Sequence, residues 1–155
     1  QRKSIPAIQK AVEALCQAAG TPIGTAAGRT LYAFPTPAAL AALSDDTLAA
    51  CGLGYRLPYI RAAASRAATD PDWLPSLAAL DDGALREALL SLTGVGPKIA
   101  QCVMLFGFHR MDAFPLDVWM NRVMERHYPN GFPLARYTPY NGVMQQYLFY
   151  AIRME

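Results

Sequence analysis

Apolar side chains recur at steps of three and four along almost the whole of this 155-residue chain. Ile5, Ile8, Val12, Leu15 and Ala19 trace one stripe. Ile99, Cys102, Val103 and Phe106 trace another, and Met144, Tyr147, Leu148, Ala151 and Ile152 a third. This spacing follows the turn of an α-helix rather than the alternation of a strand. No alternating run exceeds four residues, so the pattern predicts an all-α fold of seven to nine short helices.

Breakers and caps divide the pattern. Gly20 ends the first helix. Thr36 and Ser44 stand where N-caps belong, before "PAALAAL" and "DDTLAAC". "GLGYR" reads as a turn, and Pro58 fits the first turn of a helix running through Ala68. "TDPDWLPSLAALDD" reads as a loop with one helical turn, and Asp82 as the cap of "GALREALLSL". A further helix follows Asp117 to about His127, and Tyr128 to Tyr140 reads as a long loop. The length suits one domain with a real core, and no internal repeat is evident.

Composition removes several classes. At 53 % hydrophobic and 17 % charged residues, the chain is no disordered segment. No apolar run reaches the roughly 18 residues of a membrane helix, and no signal peptide opens the chain. Gln1 is not an initiator methionine, so a piece of a longer protein is expected. Cys16, Cys51 and Cys102 are odd in number, far apart and set among apolar residues. That argues against a disulfide framework or a CxxC metal site and for a reducing compartment, with neither metal nor cofactor expected. His109 and His127 have no metal spacing and read as structural. The net charge of +2 admits a nucleic-acid partner without requiring one. Three lysines stand against eleven arginines. Either type can meet phosphate, but an amine nucleophile must be lysine, which draws attention to Lys98.

Lys98 closes the string "LTGVGPK", between two apolar-periodic segments. Gly94 and Gly96 permit positive φ and leave amide N–H groups uncovered. Pro97 suits the first position of a helix whose N-terminus is electropositive. Together these make a phosphate cradle; a plain corner between two helices would need only the turn. Val95 is apolar at the tip, where one helix would pack against the next.

The full string resembles the helix–hairpin–helix DNA glycosylase superfamily. "GVGPKIAQC" followed by "AFPLDVW" looks like the bacterial type of 8-oxoguanine DNA glycosylase/AP lyase. "IPAIQKAVEALCQAAG", "FPTPAAL", "GLGYRLPYI" and "GVMQQYLF" look like segments of that family, in the same order. The resemblance implies helices around a DNA-binding cleft, with the hairpin at about 84–107 and the whole of 1–155 one α-helical catalytic region. It implies a partner, double-stranded DNA carrying 8-oxoguanine opposite cytosine or an abasic site. It further implies a monomer, no membrane, and a place at the bacterial nucleoid in the cytoplasm.

Breaking an N-glycosidic bond builds oxocarbenium character on the sugar, which a nearby carboxylate stabilises. A neutral amine can attack the anomeric carbon and form a Schiff base, after which the 3′ phosphate leaves by β-elimination. The resemblance gives these roles to Asp117 and Lys98. Their placement at helix starts suits them, because the dipole disfavours the ammonium and favours the carboxylate. Asp117 is at the same time an ordinary N-cap after a proline, and the two roles are compatible. Asp112 and Glu125, the nearest other acids, are expected to be solvated.

Such enzymes flip the base into a pocket. The resemblance has Gln145 meeting the Watson–Crick edge, Phe149 stacking on one face and Cys102 covering the other, with Met104 a neighbour. Tyr55 resembles the aromatic wedged beside the opposite cytosine, Arg56 reaches that cytosine or a phosphate, and Arg2 and Lys3 fall in the loop facing it. Trp119 stands where some members have a phosphate-contacting histidine. The family's N-terminal β domain, which carries a reader of the 8-oxoguanine N7 hydrogen, is absent from this chain.

Two alternatives compete. One is another glycosylase of the superfamily. Iron–sulfur members carry four cysteines near the C-terminus, whereas none lies beyond Cys102 here, and alkyladenine-type members lack the lysine. The other is a non-enzymatic DNA-binding hairpin, which needs neither the Lys98–Asp117 pair nor the Gln145–Phe149 pair.

Overall fold

A computed structural model describes residues 3–154. They form two compact units that divide between Ser76 and Leu77. The first contains α1 (Ile5–Ala19), a hairpin of β1 (Pro22–Ala26) and β2 (Arg29–Tyr32), α2 (Pro37–Ala42), α3 (Asp45–Ala50), a 3₁₀ turn (Gly54–Arg56) and α4 (Leu57–Thr69). α5 (Trp73–Ala78) lies at the boundary. The second contains α6 (Asp82–Leu90), α7 (Pro97–Cys102) running into a π-helical turn (Val103–Gly107), α8 (Val118–His127), α9 (Leu134–Tyr137) and α10 (Asn141–Met154).

The class is all-α, as the periodicity implies, but the described residues hold ten α-helices rather than seven to nine. The difference is short: α9 is a single turn inside the expected loop, and the one turn expected in "TDPDWLPSLAALDD" is α5, six residues long. The segment 128–140 is also less open than its composition suggests. Phe132 stacks on Phe114 (4.9 Å between centroids) and on Tyr137 (5.3 Å), and meets Tyr128 edge-on.

The hairpin is a second departure. β1 and β2 pair antiparallel, with Thr25 opposite Thr30 and Ala26 opposite Arg29. Ala27 (φ +49°) and Gly28 (φ +73°) make the turn, both left-handed as the twist of a tight hairpin requires. Every strand residue except Tyr32 is exposed. With neither face buried, nothing imposes the apolar–polar alternation by which a strand is recognised.

In the first unit Leu15, Leu40, Leu48, Cys51 and Leu53 form the centre of the core, with Ala11 and Ala64 beside them. Thr36 and Ser44 cap α2 and α3, accepting the amides of Ala39 and Thr47 at 3.2 Å each. Arg61 ties α2 to α3: it donates to Ala41 O and Leu43 O and pairs with Asp45 at 2.6 Å. The buried face of α1 is Ala11, Leu15 and Cys16, while Ile5, Ile8 and Val12 of the sequence stripe are exposed. Gly20 ends α1, as the sequence indicates, at φ −82°, outside the left-handed region. A Cβ there would lie 2.1 Å from Ala33 O, so close backbone approach is what requires glycine.

The core of the second unit includes Leu85, Leu89, Ala100, Met104, Leu105, Met120 and Val123. Asp81, not Asp82, caps α6, accepting the Ala84 amide at 2.8 Å; Asp82 is the first helical residue. Arg110 donates to Ala78 O and Leu80 O, both at 2.8 Å, and so satisfies carbonyls at and just beyond the end of α5. Burial on α10 falls on Asn141, Gly142 and Gln145, whereas Tyr147 and Ala151 of the sequence stripe are exposed.

Candidate active site

Each side chain of the site is set by a local event. α6 ends at Leu90, and Gly94 turns the chain at φ +84°, with the Val95 amide bonded to Leu92 O. Gly96 is extended (φ −98°, ψ 178°), so the positive φ permitted to it is not used. Around its missing Cβ lies open space, which leaves the backbone there approachable. Pro97 then opens α7, placing Lys98 in its first turn, exposed. One turn on is Cys102, where the helix widens to a π turn that carries Phe106. Such single-turn expansions re-aim the side chains that follow them.

Asp117 starts α8 and is partly buried. Its Oδ1 accepts the amides of Trp119 at 3.0 Å and Met120 at 2.9 Å. Both cap bonds fall on one oxygen, so the cap role leaves Oδ2 unengaged by amides. α10 brings the last side chains. Asn141 at its start donates to Asp112 and, at 3.1 Å, to Thr138. Asp112 is thus engaged in a part-buried network rather than solvated as expected. Gly142 is packed so closely that a Cβ would lie 2.4 Å from Leu105 Cδ1 and 2.7 Å from Ala113 O. Its amide donates to Met111 O at 2.7 Å. That fixed start sets Gln145, 3 % exposed, and Phe149 one turn later.

These residues meet in one cavity of about 220 Å³, lined by Lys98, Cys102, Asp117, Gln145 and Phe149, with Phe106, Pro115 and Gln146 completing the wall. Burial pushes the Cys102 thiol above its ordinary range; the Lys98 charge pulls it down and the Asp117 carboxylate pushes it up. The thiol is therefore neutral near pH 7 and offers a polarisable apolar surface. Both charges lie close enough to act on the thiol. The arrangement unites an amine, a carboxylate, an aromatic face and a buried amide.

Five of the residues singled out in the sequence thus line a single cavity. Gly94, Val95 and Gly96 form the α6–α7 turn. Met104 is 4 % exposed and belongs to the core, not to the cavity wall. In the first unit, Tyr55 is 53 % exposed on the 3₁₀ turn, with the Arg56 guanidinium 4.2 Å above its ring. Lys3 donates to Gly52 O in the same turn region. Arg2 lies outside the described residues. Trp119 is stacked under Arg122, 4.8 Å away, which suits packing. Phe106, Pro115 and Gln146 were not singled out for the site. Phe106 follows Cys102 by four residues, a spacing that signals a shared face but equally reads as core.

The chain matches the model of the HhH-GPD superfamily base excision DNA repair proteins over residues 1–134. It is 36 % identical over 121 residues to a "Probable N-glycosylase/DNA lyase" of Methanothermobacter thermautotrophicus, covering 66 % of this chain and 38 % of that protein. The fold is similar to MBOgg1 in complex with a low affinity DNA ligand, with TM-score 0.89, 36 % identity, and coverage of 99 % of this chain and 56 % of that one. It is also similar to the Clostridium acetobutylicum 8-oxoguanine glycosylase/lyase in complex with double-stranded DNA containing cytosine opposite 8-oxoG. There the TM-score is 0.86 and the identity 29 %, with the same coverage of 99 % and 56 %. The chain therefore spans well under half the length of its curated relative and just over half that of these structural neighbours. No helix among the described residues is long and apolar enough to cross a membrane. The hairpin, the cavity and the match over residues 1–134 agree: the chain belongs to the HhH-GPD superfamily of base excision DNA repair proteins.

Proposed function

We propose that this chain is the catalytic region of a DNA glycosylase/AP lyase that excises 8-oxoguanine opposite cytosine and then cuts the strand. Residues 1–155 would act as one catalytic region on double-stranded DNA at the nucleoid, as a monomer. The observation that carries the reading is the shared cavity of Lys98, Asp117, Cys102, Gln145 and Phe149.

In this mechanism the extruded base enters between Phe149 and Cys102, and Gln145 meets its Watson–Crick edge. A neutral Cys102 thiol suits contact with a ring face better than a thiolate would. As the N-glycosidic bond lengthens, positive charge grows on the sugar and Asp117 stabilises it. Lys98 Nζ attacks C1′, and the base departs with the bonding electrons and takes up a proton. Ring opening gives the Schiff base at C1′. Loss of a C2′ proton then expels the 3′ phosphate, which completes β-elimination. Gly94, Val95 and Gly96 hold the DNA phosphate, Tyr55 fills the gap beside the opposite cytosine, and Arg56 and Lys3 face that strand. Double-stranded DNA with 8-oxoG opposite cytosine is the ligand of the C. acetobutylicum neighbour, which supports this substrate.

Borohydride trapping on an 8-oxoguanine:C duplex and on an abasic duplex tests the nucleophile. The expected result is a covalent adduct that disappears in Lys98→Gln. An adduct that persists in Lys98→Gln overturns the assignment.

A further inference from the structure

The cavity holds a second glutamine. Gln146 follows Gln145 on α10, lines the same cavity, and also lines a neighbouring apolar cavity of about 580 Å³ walled by Phe106, Tyr147 and Tyr150. Gln146 is exposed, yet its Nε2 donates to Oε1 of the buried Gln145 at 2.5 Å. A primary amide carries an acceptor and a donor side by side, and its terminal torsion is soft and nearly two-fold. Alone, it turns over and exchanges the two. That freedom matters for a base reader. Guanine-type edges present an acceptor (O6) beside a donor (N1–H). Adenine-type edges present a donor (N6–H) beside an acceptor (N1). One amide pairs with either edge, in opposite orientations, so whatever fixes its orientation fixes the choice.

We infer that Gln146 is a specificity-determining positioning residue. By donating to Gln145 Oε1 it holds the Gln145 amide in one orientation, so the cavity selects a guanine-type over an adenine-type edge. To turn over, the Gln145 amide must break this bond or carry Gln146 with it. The inference rests on the reading of the cavity as a base pocket.

The test compares excision of 8-oxoguanine and 8-oxoadenine, two bases with the same oxidised carbon and opposite Watson–Crick edges. Each rate is divided by the same variant's cleavage of an abasic duplex, where no base is read. Gln146→Met keeps length and removes the donor; the guanine-over-adenine ratio should fall roughly tenfold, the order of one misplaced hydrogen bond. Gln146→Glu can only accept, which reverses the Gln145 amide, and its ratio should fall further. Gln146→Lys can only donate and should keep the ratio. Dividing by abasic cleavage removes any effect of the variant on the lyase chemistry, and the melting temperature of Gln146→Met should stay near wild type. An unchanged ratio in both Gln146→Met and Gln146→Glu, with abasic cleavage intact, overturns the role of Gln146. If the wild-type protein fails to cleave or trap abasic DNA, the base-pocket reading falls, and this inference with it.

Discussion

Asp117 is asked to do two things at once, and the structure allows them to be separated. Its Oδ1 accepts two amides at the start of α8, at 3.0 and 2.9 Å. Asparagine presents an amide oxygen in the same place and ranks with aspartate as an N-cap. Asp117→Asn should therefore lose only the charge–dipole part of the interaction, about 0.3–1 kcal/mol. For a chain of this size that is a fall in Tm of about 1–4 °C. Asp117→Ala loses the cap bonds as well, about 0.5–2 kcal/mol, and should melt lower still. Catalysis should not follow this order. Both variants lack the carboxylate that meets the sugar cation, and loss of one preorganised electrostatic partner costs on the order of 10²–10³ in rate. Single-turnover excision on an 8-oxoguanine:C duplex, melting curves and DNA-binding anisotropy measure the three quantities. The expected pattern is Asn near wild type in stability and binding but hundreds of times slower in excision, with Ala equally slow and less stable. Excision by Asp117→Asn within threefold of wild type would refute the catalytic role and leave only a cap.

Two further outcomes follow from the same geometry. Because burial and the Asp117 charge raise the Cys102 thiol while Lys98 lowers it, alkylation should be slow at pH 7 and climb only above the range in which an ordinary thiol ionises. Asp117→Asn removes a raising charge and should speed labelling at fixed pH, whereas Lys98→Gln should slow it; mass spectrometry of the Cys102 peptide reads both, and the opposite signs would show that the charges do not face the thiol. Gly142→Ala places a methyl 2.4 Å from Leu105 Cδ1 and 2.7 Å from Ala113 O, so it should cost about 1–3 kcal/mol and disturb Gln145 and Phe149; a wild-type melting curve would show that α10 is free to shift.

Sequence alone was most informative where chemistry is local. Caps at Thr36, Ser44 and Asp117, the proline start at Pro97 and the turn at Gly94 depend on a few neighbouring residues, and each is where the sequence places it. The displaced cap at α6 fits the same rule: Asp81 and Asp82 are chemically equal, and only the chain path decides which one caps. The hairpin at 22–32 was illegible because it buries no face.

The outer helices show the limit of periodicity. The α1 stripe of Ile5, Ile8, Val12, Leu15 and Ala19 is periodic, yet of these only Leu15 is buried, beside Ala11 and Cys16, while Ile5, Ile8 and Val12 are exposed. Spacing reports that a helix has an apolar side, but packing partners choose which side is buried. α10 makes the point more strongly. Its buried positions include Asn141 and Gln145, which hydropathy would send to the surface. They are buried because Gly142 lets the helix start lie against Met111 and Ala113, and because the Asn141 amide nitrogen donates to Asp112 and Thr138 while the Gln145 amide oxygen accepts from Gln146. The sequence determined the helical class, the hairpin with its lysine, and the aspartate cap, since these follow from backbone preferences within a turn or two. Only the tertiary structure decided that Lys98, Asp117, Cys102, Gln145 and Phe149 share a cavity with Gln146 at its wall, because that meeting depends on contacts between residues as many as 51 positions apart, from Lys98 to Phe149.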